Sequence, residues 1–118
     1  MTGNGTRIMF KEGVVAPPRD VMCSIMVAGF WSAFECAVSQ VGAYVTVTDW
    51  YRTEATNVLV GGVPGSKHTL GLAVDLRLGP DASNVAALWT AAGLDAVLES
   101  DHWHLEWDGP ALRAPSPA

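Results

Sequence analysis

The chain has 118 residues, of which 49% are hydrophobic and 16% are charged, a balance that supports one folded domain and excludes a disordered linker. The net charge of -5 argues against nucleic acid as a partner, because phosphate binding needs clustered Lys and Arg side chains. It also argues against tight retention on an anionic membrane or cell wall. We therefore expect a single acidic domain over residues 1–118.

The first part of the chain predicts an irregular arm followed by a long helix. Residues 1–19 are rich in glycine and end at Pro17-Pro18, so no regular element is expected there. The segment from Met1 to Phe10 has no apolar core and no cleavage pattern, which predicts that there is no signal peptide. A helix is predicted from Asp20 to Gln40, with Asp20 as its N-cap. Its nearly all-round apolar character indicates burial against a sheet or a partner.

Cysteine and methionine positions in this helix give further expectations. Cys23 and Cys36 would lie about 20 Å apart along one helix, beyond the reach of a disulfide. We expect both to be buried free thiols. Met22 and Met26 have helical spacing and are predicted to be core residues. The helix also contains Glu35, which makes it a poor membrane span.

The rest of the chain predicts four strands and two shorter helices. The strands are predicted at Tyr44–Thr48, Leu72–Leu78, Ala96–Leu98 and Trp103–Trp107, the helices near Thr53–Val58 and from Asp81 or Ser83 to Ala92, and a tail at 111–118. This order predicts an α+β domain with a small, mostly antiparallel sheet flanked by helices. The irregular connection over residues 49–65 is of a kind that is usually functional or mobile.

All three histidines of the chain lie in two short segments, 66–75 and 101–106, and each segment also carries an acidic residue. Two histidines and one carboxylate from separate segments can form a three-ligand metal site with a coordination position free for water. That is the layout of a catalytic zinc centre. A turn at Gly71 would allow His68 to lie on a loop and Asp75 on the strand that follows.

These residues also have a simpler interpretation. A histidine in a turn and an aspartate at a sheet edge can both be satisfied by water. In the second segment, strand alternation places His102, His104 and Glu106 on one face, which could be only a polar face opposite aromatic residues. However, so many ionisable groups beside Trp103 and Leu105 are costly to place. The two segments together therefore favour a metal site.

Three motifs resemble those of the zinc-dependent D,D-peptidases. Residues 66–75 match the family's Ser-x-His-x-x-Gly-x-Ala-x-Asp signature, and residues 101–104 resemble its second motif, an acid followed three residues later by a histidine. Residues 50–53 with Asn57 are similar to its Tyr-Arg-Ser/Thr…Asn segment. The family includes D-alanyl-D-alanine carboxypeptidases, dipeptidases and phage L-alanyl-D-glutamate endolysins. The resemblance, which runs from about Tyr44 to Trp107, implies a Hedgehog/D,D-peptidase-like fold.

The resemblance also implies roles for the matched residues. His68, Asp75 and His104 would be ligands of Zn²⁺. Asp101 would be the catalytic carboxylate, which is usually Glu in the family, and would carry a proton from the attacking water to the leaving amine. Arg52 would bind or polarise the substrate carbonyl and help to stabilise the oxyanion.

Four more residues near the site have less definite roles. Ser66 matches a serine near the substrate's carboxylate end. His102 stands where many members have an aromatic residue or proline, and it could be an auxiliary donor to the oxyanion. Glu99 and Glu106 flank the site, and neither is predicted to be a ligand.

The resemblance implies a zinc peptidase that hydrolyses peptidoglycan stem peptides, as a D,D-carboxypeptidase or as an L-alanyl-D-glutamate endopeptidase. Two alternatives remain open: a non-catalytic module that binds cell-wall peptides, and a structural or assembly component of a phage particle. In the second case, phage structural proteins would contact the termini and the helix at 20–40. The expected lack of a signal peptide predicts action on the bacterial cell wall after lysis or after delivery by a virion. The sequence does not decide which peptide bond is cut.

Overall fold

A computed structural model describes residues 7–78 and 85–108. It contains strands β1 (Ile8–Phe10), β2 (Val45–Asp49), β3 (Ala73–Leu78), β4 (Asp95–Glu99) and β5 (His102–Glu106), helices α1 (Arg19–Met22), α2 (Ile25–Val38), α3 (Glu54–Leu59) and α4 (Val85–Ala91), and a short 3₁₀ helix (Lys67–Leu70). The strand order is β1-β2-β3-β5-β4. Only β1 and β2 pair in parallel among these strands; the other neighbours are antiparallel. The predicted α+β fold with a mostly antiparallel sheet is therefore confirmed.

The four predicted strands are present with small changes at their ends, but the predicted irregular arm was wrong in part. Residues 8–10 form β1, which pairs with residues 45–47 of β2. A three-residue strand has too little sequence pattern to be recognised, and its partner supplies the hydrogen bonds that define it. The predicted start of the last helix at Asp81 or Ser83 and the predicted tail at 111–118 lie outside the described residues.

The single helix predicted from Asp20 to Gln40 was also wrong, because the chain breaks between α1 and α2. Ser24 has an extended backbone (φ -68°, ψ 147°), and its side chain accepts a hydrogen bond from the Val27 amide at 3.2 Å. Serine is a strong N-cap because its hydroxyl satisfies an amide that the helix leaves unpaired. Ser24, and not Asp20, therefore caps the long helix.

The helix α2 packs on the sheet through one face only. Its buried residues are Val27, Phe30, Phe34, Ala37 and Val38, and they join the core with apolar residues from β2, β3 and β5. The sequence predicted that this apolar helix packs against a sheet or a partner. The sheet of the same chain covers the buried face.

Residues out of phase with this face are exposed. Cys23, in the helix break, and Cys36 are both exposed free cysteines, so the prediction of buried thiols was wrong. Met26 is 38% exposed, which also contradicts the expected core position. Met22 is partly buried against the core, as predicted. None of the helices in residues 7–78 and 85–108 has the length and hydrophobicity needed to cross a bilayer.

Candidate metal centre

A row of directly paired residues crosses the sheet and places two candidate ligands side by side. Asp75 of β3 pairs with His104 of β5, and His104 pairs with Val97 of β4. Asp49 of β2 pairs with Asp75 on the other side, after a shift of register next to Val47. Paired residues on antiparallel strands share a face of the sheet. Asp75 and His104 therefore project together from the face opposite the core.

The third candidate ligand, His68, is carried by the 3₁₀ helix that leads into β3. The side chain of Ser66 caps this helix by accepting a hydrogen bond from the His68 amide at 3.2 Å. Gly71 ends it in the left-handed region at φ 77°, a conformation that glycine adopts without strain. The Trp50 indole then fixes the turn by donating to the Gly71 carbonyl at 3.1 Å. His68 is thereby buried, with only 2% of its surface exposed.

One hydrogen bond determines which nitrogen of His68 faces the site. His68 Nδ1 lies 2.6 Å from the Trp50 carbonyl oxygen, and because a carbonyl can only accept, Nδ1 carries the hydrogen. The other nitrogen, Nε2, is buried and has no hydrogen-bond partner among the described residues. A buried polar atom without a partner is unfavourable. This arrangement is typical of a metal-binding histidine, in which the second nitrogen is held by a protein oxygen.

The three candidate ligands converge on one point. Asp75 Oδ1 lies 2.8 Å from His104 Nδ1 and 3.4 Å from His68 Nε2. One ligand atom from each of the three residues lies within 4.8 Å of the other two. Two imidazole nitrogens and one carboxylate oxygen form a donor set that suits a catalytic zinc ion. The residues present therefore fit the metal that the sequence implied.

Asp75 and His104 stabilise each other's charged forms. Burial opposes ionisation of Asp75, but the hydrogen bond from His104 and the nearby His68 outweigh it and hold the pKa of Asp75 well below its usual range. The hydrogen bond to Asp75 acts against burial and, together with Glu106, raises the pKa of His104 to about 9. A metal ion would replace the proton of His104, because a ligand histidine must be neutral.

Arg52 approaches the same point from the connection after β2. Its guanidinium binds Asp49 through Nε and Nη2, both at 2.7 Å, and donates through Nη1 to Asn57 Oδ1 at 3.0 Å. Asn57 is held in turn by a hydrogen bond from its amide nitrogen to the Val63 carbonyl at 2.8 Å. The guanidinium Nη2 lies 3.9 Å from Asp75 Oδ2. A fixed cation therefore stands beside the candidate metal centre.

These groups line a cavity of about 440 Å³, which is open to solvent on one side. Its lining consists of Arg52, Val63, Gly65, Ser66, Lys67, His68, Asp75, Glu99, His104 and Glu106. The cavity thus contains the three candidate ligands together with Arg52 and Ser66, which the sequence placed near the substrate.

The family model for peptidase M15 matches residues 6–105, which is most of the chain. The chain belongs to the peptidase M15 family. This assignment confirms the resemblance that the motifs at 66–75 and 101–104 indicated, and it supports a peptidase acting on peptide substrates. Among curated proteins, none matches the chain significantly.

In this peptidase M15 chain, Asp101 lies in the turn between β4 and β5 and is not among the residues that line the cavity. Its side chain is 63% exposed and binds Arg77 Nη2 at 3.0 Å and His102 Nδ1 at 3.0 Å. His102 contacts Glu99 through its other nitrogen, with Nε2 2.8 Å from Oε1. The catalytic role implied for Asp101 and the role of His102 therefore stay predictions.

Three cavity residues of this peptidase M15 chain were missed or left undecided by the sequence. Glu106 Oε1 lies 2.9 Å from His104 Nε2 and holds the far side of that ring. Lys67 Nζ donates a hydrogen bond to Asp108 Oδ1 at 2.6 Å and lies 3.6 Å from Glu106 Oε2. The hydrogen bond to Asp108 is the main cause that raises the pKa of Lys67. Glu99 reaches the cavity from the end of β4. Alternation along β5 indicated that Glu106 shares a face with His104. The place of Glu99 at the cavity depends on its pairing with His102, which the sequence does not specify.

Proposed function

We propose that this protein is a zinc-dependent peptidase that hydrolyses the stem peptides of peptidoglycan. The observation that carries the proposal is the buried, unpartnered Nε2 of His68, which faces Asp75 and His104. The family assignment supports a peptidase, and the donor set of two imidazoles and one carboxylate supports zinc.

A zinc ion bound by these three residues would lower the pKa of a water molecule and polarise a peptide carbonyl. Other residues of the chain would orient the two histidines and bind the substrate. The Trp50 carbonyl keeps His68 in the tautomer that offers Nε2, and Glu106 holds the ring of His104. Arg52, fixed by Asp49 and Asn57, would donate hydrogen bonds to the carbonyl oxygen of the substrate as negative charge develops there.

The polar cavity lining supports a short peptide substrate that carries carboxylates. Lys67 and Arg52 are cations at the cavity wall, and Ser66 adds a hydroxyl group. Such a lining suits either the terminal carboxylate of a D-alanyl-D-alanine peptide or the D-glutamate of an endopeptidase substrate. The proposal includes that the protein acts on the bacterial cell wall after lysis of the cell or after delivery by a virion. The family match gives no support to a phage structural partner.

Elemental analysis combined with a hydrolysis assay tests the proposal. Protein purified without added metal and then loaded with zinc should hold about one zinc per chain and release peptide fragments from purified peptidoglycan. Mass spectrometry of the fragments would identify the bond, as release of D-alanine or as cleavage between L-alanine and D-glutamate. The variant His68→Ala should lose both zinc and hydrolysis, while Ser39→Ala, distant in sequence from the cavity segments, should keep both.

Failure to take up zinc would overturn the peptidase proposal. It would leave the non-catalytic peptide-binding alternative, which binding of the same stem peptides to the metal-free protein would then test.

A further inference from the structure

Residues 50–52 hold the candidate ligand His68 through three hydrogen bonds. The Trp50 carbonyl oxygen accepts from His68 Nδ1 at 2.6 Å, and the Trp50 indole donates to the Gly71 carbonyl at 3.1 Å. The Arg52 amide donates to the His68 carbonyl at 3.1 Å. The direction in which His68 Nε2 points therefore depends on the position of residues 50–52.

The N-terminal segment at residues 8–17 holds one peptide unit of this stretch. A peptide unit is planar, so the carbonyl of Trp50 and the amide of Tyr51 turn together. The Tyr51 amide donates a hydrogen bond to the Val15 carbonyl at 3.0 Å, and the oxygen of the same peptide unit contacts His68. The Val15 carbonyl therefore fixes the direction of the oxygen that selects the tautomer of His68.

Side chains of the N-terminal segment also pack against this support. The Phe10 ring stacks on Trp50, with the ring centroids 6.3 Å apart, and on Trp31 of α2 at 6.0 Å. Trp31 in turn stacks on Trp50 at 4.1 Å with the ring planes 13° apart, a geometry typical of favourable aromatic contacts. Pro17 is buried beside Gly71, where a Cβ atom would lie 3.1 Å from Pro17 Cγ. Phe10 and Pro17 therefore restrict the Trp50 indole and the Gly71 turn that it binds.

We propose that the N-terminal segment at residues 8–17 positions the candidate metal centre, with Phe10 as a positioning residue that acts through Trp50 on His68. This inference rests on zinc binding in the proposed function. None of residues 8–17 lines the cavity, so their effect is on the geometry of His68 and not on the substrate. A ligand that is already oriented by its neighbours binds the metal more tightly.

A purely structural role for Phe10 is the competing interpretation. A contact that only stabilises the fold would change the free energy of unfolding, but not the affinity of the folded protein for zinc. Phe10 is 50% exposed, so its replacement should leave the protein folded. Met9, its neighbour in β1, is 51% exposed and points to the opposite face of the strand. Met9 therefore provides a control of nearly the same exposure on the same strand.

Chelator competition on folded Phe10→Ala and Met9→Ala tests the inference. Zinc affinity should fall by about tenfold in Phe10→Ala, the lower end of what an indirect support of a ligand is worth, and by less than about twofold in Met9→Ala. Phe10→Tyr keeps the ring and should keep the wild-type affinity. In the metal-free proteins, nitrogen NMR of the imidazoles should show the hydrogen of His68 on Nδ1 in the wild type and a mixture of both tautomers in Phe10→Ala.

Hydrogen exchange in the wild-type chain gives an independent test. If docking of the N-terminal segment strengthens zinc binding about tenfold, zinc must strengthen that docking by the same factor. Exchange at the Tyr51 amide, which is bonded to the Val15 carbonyl, should therefore slow by about tenfold when zinc is bound.

Equal zinc affinities in Phe10→Ala and Met9→Ala would overturn the inference, and so would exchange at the Tyr51 amide that zinc leaves unchanged. Both results leave the proposed function intact. A wild-type protein that takes up no zinc would instead overturn the proposed function together with this inference, so the two kinds of failure are distinguishable.

Discussion

A single oxygen atom of Asp75 faces two histidine rings, with Oδ1 2.8 Å from His104 Nδ1 and 3.4 Å from His68 Nε2. A metal ion bound by His104 Nδ1 would take the place of a proton that this nitrogen shares with Asp75 Oδ1. Proton and metal therefore compete for the same nitrogen. The carboxylate of Asp75 also determines how strongly each of them is held.

Replacing the Asp75 carboxylate by an amide should weaken the binding of both the proton and the metal ion at His104. In Asp75→Asn, the pKa of His104 should fall from about 9 toward the ordinary value for histidine, because the hydrogen bond to a negative charge is lost. Zinc affinity should fall by at least about 100-fold, since even indirect supports of a metal ligand are worth 10- to 100-fold. NMR titration of the imidazole protons and chelator competition measure the two effects. An unchanged pKa of His104 would show that Asp75 is not its main partner.

The pair of Asp75 and His104 should also make the stability of the metal-free protein depend on pH. The folded-state pKa of His104 is raised to about 9, so its contribution is complete below the unfolded pKa of about 6.5 and is lost as the pH rises through about 9. Urea unfolding at about pH 6 and about pH 10 should therefore show a larger loss of stability in the wild-type protein than in His104→Gln. Equal losses in the two proteins would contradict this.

Arg52 should be poorly replaced by lysine. A lysine keeps the charge but cannot contact Asp49 through two nitrogens and Asn57 through a third. We expect Arg52→Lys to lower kcat by about 100-fold, the scale of losing one donor to an oxyanion, with zinc content unchanged. Arg19→Lys, at an exposed position in α1, provides the matched control. Equal kcat values in the two variants would remove Arg52 from the chemistry.

Because Gly62 has no side chain, the side chains of Asn57 and Arg52 can pack directly against its backbone. A Cβ atom at this position would overlap Asn57 Oδ1 and would lie 2.9 Å from Arg52 Nη1. We expect Gly62→Ala to destabilise the protein by about 1–3 kcal/mol and to lower kcat as well, because Arg52 loses its support. Leu59→Ala, at a position that is 84% exposed, should change stability by no more than about 0.5 kcal/mol. Denaturant unfolding compares them, and a Gly62→Ala protein as stable as the wild type would refute the close contact.

Patterns that are local in sequence predicted most of the sheet and the three candidate ligands. Alternation and β-branching identify β2 and β3, and the motif at 66–75 contains both His68 and Asp75. Features that depend on distant partners were missed. The strand β1 exists because it pairs with β2, and the place of Glu99 in the cavity depends on the register of a hairpin. The break at Ser24 arises from one side-chain hydrogen bond that competes with a continuous helix.

Alternation along the central strands separates two kinds of residue that lie next to each other in the sequence. Asp75 stands between the fully buried Val74 and Leu76, and His104 precedes the fully buried Leu105. The buried residues pack on the core face of the sheet, and the candidate ligands Asp75 and His104 lie on the opposite face. Substitutions at Asp75 or His104 should therefore leave the core packing in place. Under the proposed function, a chain of this architecture that keeps the core residues but has lost a candidate ligand at the position of Asp75 or His104 should fold without hydrolysing peptides.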